Sequence, residues 1–404
     1  MRWIGGVRGR LGLPRVVLML TLSAFFVAIG FGVMIPVLPL YARSFGVSNL
    51  LIGLVVSAFA AMRLVTSPFC RRISDRLGHR RTIGIGMWIV GVSSALCGLA
   101  GSYPEFLAWR AVGGIGSAMF TISATALLLA SVPAGQRGQA AGLYQGSFLI
   151  GGMAGPAVGG LLAGISITAP FFFYAATLLI AGAIAFTQLH DPAEIGRAGP
   201  EEITRPLREV LADVRFQAAC LLGFGQGWQS FGVRSSLVPI LIVAGLGADS
   251  TWTGIAFAIA AVAQGLALHP AGRATDLIGR RPLMIAGGLT AAIATIALPF
   301  APDLPWLIGI LCLYGIGAAA LGTAPTAALG DAARGAGSQP IAIQSMSTDV
   351  GSILGPLAAG LLADSLGMTA AFAAGAVILL AGAGLSWFMP SERRSAADRE
   401  LVAD

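Results

Sequence analysis

The chain has 404 residues, of which 56% are hydrophobic and 11% charged, and a mean hydropathy of +0.83, so it holds far too little polar surface to coat a water-soluble globule. Its formal charge of +7 comes from 25 basic residues, all Arg, against 18 acids, and their placement along the chain accounts for it without a nucleic-acid partner. Cys70, Cys97, Cys220 and Cys312 stand singly in apolar segments, a pattern that indicates neither a disulfide framework nor a metal site, and no cofactor is expected.

At about 20 apolar residues per crossing, the sequence predicts twelve spans. They run near 14–41, 50–70, 82–101, 104–131, 139–163, 168–189, 216–244, 250–270, 282–300, 304–330, 340–363 and 368–389. Arg2, Arg8 and Arg10 precede the first apolar run, but that run is much longer than the apolar core of a signal peptide and reads as a retained span. Residues 190–215 hold four Arg and six acids and join span six to span seven, with a short amphipathic helix expected from Pro206 to Arg215. The expected organisation is therefore a six-span half at 1–189, a linker at 190–215 and a second six-span half at 216–404. Both tails, with Arg15 at the edge of span one counted among them, and the even-numbered loops carry 21 of the 25 Arg, the odd-numbered loops carry Arg43, and Arg63, Arg110 and Arg234 lie inside spans. By the positive-inside rule both termini face the cytoplasm, as in a multi-pass protein of a bacterial-type plasma membrane.

The two halves repeat one another. FGVMIPVLP from Phe31 is echoed by FGVRSSLVP from Phe231, which places Pro39 and Pro239 an interval of 239 − 39 = 200 apart. GxxxGPxxGG from Gly151 returns as GxxxGPxxAG from Gly351 at the same interval, and Asp75 with Gly78 returns as Asp276 with Gly279 at 201. Two equivalent apolar halves are the mark of a secondary transporter built from parallel repeats.

Twelve spans in two copies, with RRISDRLGHRR after span two and GRATDLIGRR after span eight, resemble the major facilitator superfamily, whose signature in this loop is GxxxDRxGRR. The chemistry is a tight turn at Gly78 or Gly279, cationic side chains at the membrane surface, and a carboxylate able to meet a helix N-terminus or a guanidinium. The resemblance implies an all-α integral membrane fold of twelve transmembrane helices in two pseudo-symmetric six-helix halves. It also implies that Asp75, Arg76, Gly78 and Arg80, with Asp276, Gly279 and Arg280, latch the halves on the cytoplasmic side. Arg71 and His79 depart from the family pattern, and Arg71 is expected to alter how closely span two approaches its neighbour.

In span five, Gly142, Gly151, Gly155, Pro156, Gly159 and Gly160 resemble the signature of the superfamily's proton-coupled drug antiporters. Gly151, Gly155 and Gly159 form a smooth stripe for close helix approach, Pro156 can bend the span, and Gly355 and Pro356 repeat the device. In span four, Arg110 followed by Gly114 and Gly116 resembles the family's RxxxG motif, in which the Arg is implicated in proton transfer; bracing of the bundle through backbone carbonyls is the alternative. A guanidinium inside a span costs about 2.5–3.5 kcal/mol on insertion scales.

Asp349 is the only carboxylate well inside a predicted span and is the expected protonation site. Spans two and eleven face each other in this superfamily, so Arg63 is an expected partner of Asp349 in a gate; snorkelling by Arg63, or an Asp349 pair with Arg234, are the alternatives. Spans one, four, seven and ten line the family's cavity, which makes Phe25, Met34, Met119, Phe120, Gln226, Gln229, Arg234 and Tyr314 the expected substrate-facing residues. Arg234 there would favour an anionic or zwitterionic substrate.

P-loop, GxSxG and Asp-rich metal motifs are absent from the sequence, so neither ATP-driven transport nor an enzyme is expected. The expectation is a monomeric, proton-coupled exporter of drugs or small amphiphiles, working within the lipid bilayer by alternating access. An exporter of a native metabolite, sugar or lipid, and a transport-dead membrane sensor, are the alternatives.

Overall fold

The computed structural model describes residues 14–133, 136–189, 206–333 and 339–390, and contains no strand among them. The first half begins with α1 (Arg15–Met34), α2 (Leu38–Ser44), α3 (Asn49–Leu77) and α4 (His79–Leu99), followed by α5 (Tyr103–Ala130), α6 (Arg137–Ile165) and α7 (Ala169–Gln188). Residues 190–205 of the expected linker lie outside the described residues. The remainder of the linker holds α8 (Leu207–Ala212), which begins after Pro206 and ends at Asp213, short of the expected Arg215. Then follow α9 (Val214–Gly227), a π-wound stretch (Trp228–Arg234), α10 (Val238–Ile240) and a second π-wound stretch (Leu241–Gly245). The chain continues through α11 (Ser250–Leu277), α12 (Arg280–Ala297), α13 (Leu304–Ala332), α14 (Gln339–Ser365) and α15 (Met368–Trp387).

Eleven of these helices are long and apolar enough to cross a membrane. The seventh expected span, 216–244, is instead broken among α9, α10 and the π-wound stretches, for a local chemical reason. Ser235 N donates to Ser230 O at 3.2 Å. The hydroxyls of Ser235 and Ser236 donate to the carbonyls of Ser230 and Phe231, each at 2.6 Å and each five residues back. These bonds close wide turns of π type. Pro239, which has no N–H, restarts the helix in its first turn. The matched stretch of span one also breaks, between Met34 and Leu38, before Pro39.

The chain divides into two compact units, Met1–Val47 with Ala58–Ala198, and Ser48–Ser57 with Gly199–Asp404. In the first, α1 packs on α6 and α7, and α4 on α5 and α7. In the second, α9 packs on α14 and α15, α12 on α13 and α15, and α11 on α13. The repeat read from sequence thus extends to contacts. Ser74 and Ser123 share a hydroxyl bond at 2.7 Å across α3 and α5, and Thr275 and Thr323 share one at 3.3 Å across the corresponding pair, α11 and α13. Small residues make such packing possible, because apolar lipid supplies no hydrophobic drive and close backbone approach must hold the helices together. A Cβ on Gly116 would lie 2.4 Å from the Gly86 carbonyl, and one on the matched Gly317 would lie 3.0 Å from the Gly287 carbonyl.

Candidate transport site

Within the first unit, Arg110 is 6% exposed on α5, and its guanidinium carbon sits 4.5 Å from the centroid of the Phe59 ring. Its Nε has no hydrogen-bond partner among the described residues. A buried guanidinium stacked on an aromatic face keeps its charge at reduced cost. Two turns further along α5, Met119 is packed in a core with Cys70 and Ala118, and Phe120 is buried with its ring 6.4 Å from Phe148. On α1, Met34 is 3% exposed and Phe25 half-buried beside Phe26. Arg63 is half-buried on α3, at the point where Gly114 of α5 crosses.

The glycine stripe of α6 lies against α1. Cβ atoms on Gly151, Gly155 and Gly159 would fall 2.8 Å from the Phe25 carbonyl, 2.6 Å from Gly32 Cα and 2.3 Å from the Val33 carbonyl. Gly142 and Gly152, on the same helix, meet nothing within 4 Å. Pro156 lies inside α6 and touches the same seam, since a Cβ on Gly32 would approach its Cδ at 3.2 Å.

The second unit repeats the seam with different side chains. A Cβ on Gly351 would lie 2.1 Å from the Phe224 carbonyl, and one on Gly355 would lie 2.7 Å from Trp228 Cα. Arg234 closes the first π-wound stretch, with its guanidinium 6.0 Å from the Tyr314 ring. Gln226 donates to the Ala318 carbonyl at 3.4 Å, while Gln229 is 1% exposed and donates to Thr295 Oγ1 on α12 at 3.1 Å. Asp349 is half-buried in α14, one residue from Thr348, whose carbonyl crowds Gly227.

At the two signature loops the glycines adopt backbone that other residues resist, with φ of +81° at Gly78 and +107° at Gly279. Asp75, Arg76 and Asp276 are exposed. Arg80 donates to the Phe186 carbonyl, and the matched Arg281 donates to the Met389 carbonyl at 3.1 Å while lying over Trp387. Arg280 Nε stands 3.0 Å from Asp331 Oδ2. The Arg71 side chain lies outside the described residues. Sequence reasoning missed Phe59, Asp331, Thr295 and the π winding that positions Arg234; the adjacent Ser235 and Ser236 before Pro239 were the available signal for that winding.

Two bundles of membrane-spanning helices, each repeating the other's sequence and internal packing, make a polytopic membrane protein. A model of the Major Facilitator Superfamily matches residues 20–236 and 219–403, and the chain belongs to that superfamily. It is 26% identical over 408 residues to "Multidrug resistance protein 2" of Bacillus subtilis, covering 95% of this chain and 97% of that one. It is 28% identical over 187 residues to "Quinolone resistance protein NorA" of Staphylococcus aureus, covering 46% of this chain and 48% of the other, so that match spans about half the length of the relative. Among solved structures, a bacterial homolog of the human lysosomal transporter Spinster aligns at a TM-score of 0.78 with 18% identity, over 92% of this chain and 95% of that one. A D-xylose-proton symporter aligns at 0.70 with 18% identity, over 93% and 98%. These structural likenesses bear on the fold alone.

Proposed function

We propose that the protein exports drugs or small amphiphilic compounds in exchange for protons, by alternating access. The observation that carries this reading is the similarity to a multidrug resistance protein over nearly the whole of both chains. The antiporter-type glycine stripe of α6, seated backbone to backbone on α1, supports it. Asp349 takes up the coupling proton, since it is the one carboxylate set deep in a predicted span, and Arg110 participates through a buried charge whose Nε has no hydrogen-bond partner among the described residues. The signature loops, with Asp75, Arg76, Gly78 and Arg80 and their second-half counterparts, and the α6 seam gate the cycle. Both termini face the cytoplasm, and the working unit is one chain.

Arg234 against Tyr314 favours a substrate that is planar and carries an anionic or zwitterionic group. That observation also gives standing to a second reading, export of a native acidic metabolite on the same scaffold. The test uses inverted vesicles under an imposed pH gradient, with ethidium and a carboxylate-bearing fluorescent dye, comparing the native chain with Asp349→Asn and Arg234→Gln. Gradient-driven accumulation lost in Asp349→Asn supports proton-coupled export through that carboxylate. Accumulation that persists places the proton elsewhere, and accumulation of neither dye in the native chain favours the native-metabolite reading.

A further inference from the structure

Gln229 is the second residue of the first π-wound stretch, and it and its partner Thr295 on α12 are each 1% exposed. Thr295 Oγ1 donates to the Ala291 carbonyl at 2.7 Å, so towards Gln229 it can only accept, and the amide Nε2 donates to it at 3.1 Å. Room for the amide comes from α15, where a Cβ on Gly375 would lie 2.9 Å from Nε2 and 3.0 Å from Oε1. At this burial solvent cannot replace a lost bond. Any rotation that carried Gln229 away from Thr295 would leave a buried amide unpaired, which is costly.

Winding decides which side chains share a face. In an α-helix, residues five apart point about 140° away from one another, whereas a π turn closes between residues i and i+5 and sets them nearly one above the other. Gln229 and Arg234 are five apart; the first meets α12, the second meets Tyr314 of α13, and α12 packs on α13. A slip of one residue towards α winding would swing Arg234 about 100° around the axis and away from Tyr314. The hydroxyls of Ser235 and Ser236 do not forbid that slip by themselves, because in an α-helix a Ser hydroxyl can bond the carbonyl four residues back instead of five. The Gln229 bond does forbid it, since it ties the winding to a neighbouring helix. The first copy lacks all three groups. Ile29, Ile35 and Pro36 stand 200 residues before Gln229, Ser235 and Ser236, and there the helix stays α-wound through Met34.

We infer that Gln229 is a positioning residue: bonded to Thr295, it holds the π register that sets Arg234 against Tyr314, and through Arg234 it fixes a preference for anionic over cationic substrates. Gln229 itself touches no substrate. This role rests on the reading of Arg234 as the anion-selecting group, but not on proton coupling or on the direction of transport.

The experiment uses the purified full chain and two probes, fluorescein as the anion and ethidium as the cation, with binding read by fluorescence anisotropy. In parallel, modification of Arg234 by phenylglyoxal is followed by mass spectrometry of its peptide, a readout that needs no substrate. Gln229→Leu and Thr295→Val are expected to lower the affinity ratio of fluorescein to ethidium on the order of tenfold, as Arg234→Gln does, and to change the rate of Arg234 modification. Thr295→Ser keeps the acceptor and should keep the native ratio and rate. In an Arg234→Gln background, Gln229→Leu should add no further loss. Should Gln229→Leu fail to fold, Thr295→Val and Gly375→Ala, whose methyl would displace the amide, carry the same comparison. If Arg234→Gln lowers the ratio and the folded Gln229 and Thr295 variants do not, the inference is overturned. It is equally overturned if the loss in Gln229→Leu persists at full size without Arg234. A native chain that binds both dyes alike would sink the anion-selecting reading; the modification rate then decides the positioning alone, a change supporting it and an unchanged rate overturning it.

Discussion

Arg280 Nε lies 3.0 Å from Asp331 Oδ2, an ion pair that ties the start of α12 to the last turn of α13. The first half has no counterpart, since His79 and Ala130 occupy the positions 201 residues earlier. Both side chains are about a quarter exposed, at 24% and 23%, so screening limits the pair. Asp331→Asn should cost about 0.5–1 kcal/mol in thermal unfolding of the purified protein, and less in high salt. Arg281→Ala should cost more, because it removes both the Met389 carbonyl bond and the contact over Trp387.

The α6 seam gives a paired comparison on one helix. Gly155→Ala would force a methyl to 2.6 Å from Gly32 Cα and 2.7 Å from the Ile29 carbonyl, both backbone atoms that cannot step aside. A loss of about 1–3 kcal/mol is expected. Gly152→Ala meets nothing within 4 Å and should instead be neutral or stabilising by up to about 1 kcal/mol. Denaturation midpoints of the two variants in the same detergent decide the matter.

At Gly279, φ is +107° and ψ 162°, a region almost reserved for glycine. Gly279→Ala is expected to cost about 1–3 kcal/mol, whereas Gly272→Ala, inside α11 with open space around it, should be tolerated. The same thermal assay reads both, and equal midpoints would show that the turn relaxes.

Asp249 lies just before α11 and accepts from Thr251 N at 2.8 Å, and the Thr251 hydrogen bonds hold its carboxyl below the usual carboxylate value. The folded value lies below the unfolded one. Its stabilising contribution is therefore fully present above the unfolded value, near pH 4, and is lost as the pH falls through the folded value. Asp249→Asn should flatten the loss of thermal stability seen on acidification below about pH 4.

Removing the Phe59 ring tests how Arg110 is held. Phe59→Leu should destabilise the folded protein by about 1 kcal/mol or more through the lost stacking and volume. The same effect in an Arg110→Leu background would show that the ring matters for packing alone, so the double-mutant comparison isolates the cation.

The positions that could be read in the sequence share one property: they recur. The 200-residue interval marked the paired glycines of the two seams and the Gly78 and Gly279 turns, because duplicated packing demands duplicated small residues. What could not be read falls into two kinds. The π winding at Trp228–Arg234 follows from serine hydroxyls competing for carbonyls in a segment whose apolar content still predicts an ordinary span. The cap that Asp364 places on the start of α3, by accepting from Asn49 N at 3.1 Å, depends on a contact spanning 315 residues, and the hydropathy pattern places Asp364 at the rim of a span, where an acid needs no explanation. Gln229, read as substrate-facing from its place in span seven, donates to Thr295, a partner on another helix that no spacing rule would select.

Duplication starts a chain with two like halves, and here they have since diverged. At the position where the first copy has Met34 closing an ordinary helix, the second has Arg234 closing a wide turn, with no residue added or lost between the copies at this point. The difference lies in the backbone as well as in the side chain, so point substitutions in span one that copy the second half would not make the two halves alike. A change of substrate in such a protein can come from rewinding a few residues of one copy while the rest of its scaffold stays as it is.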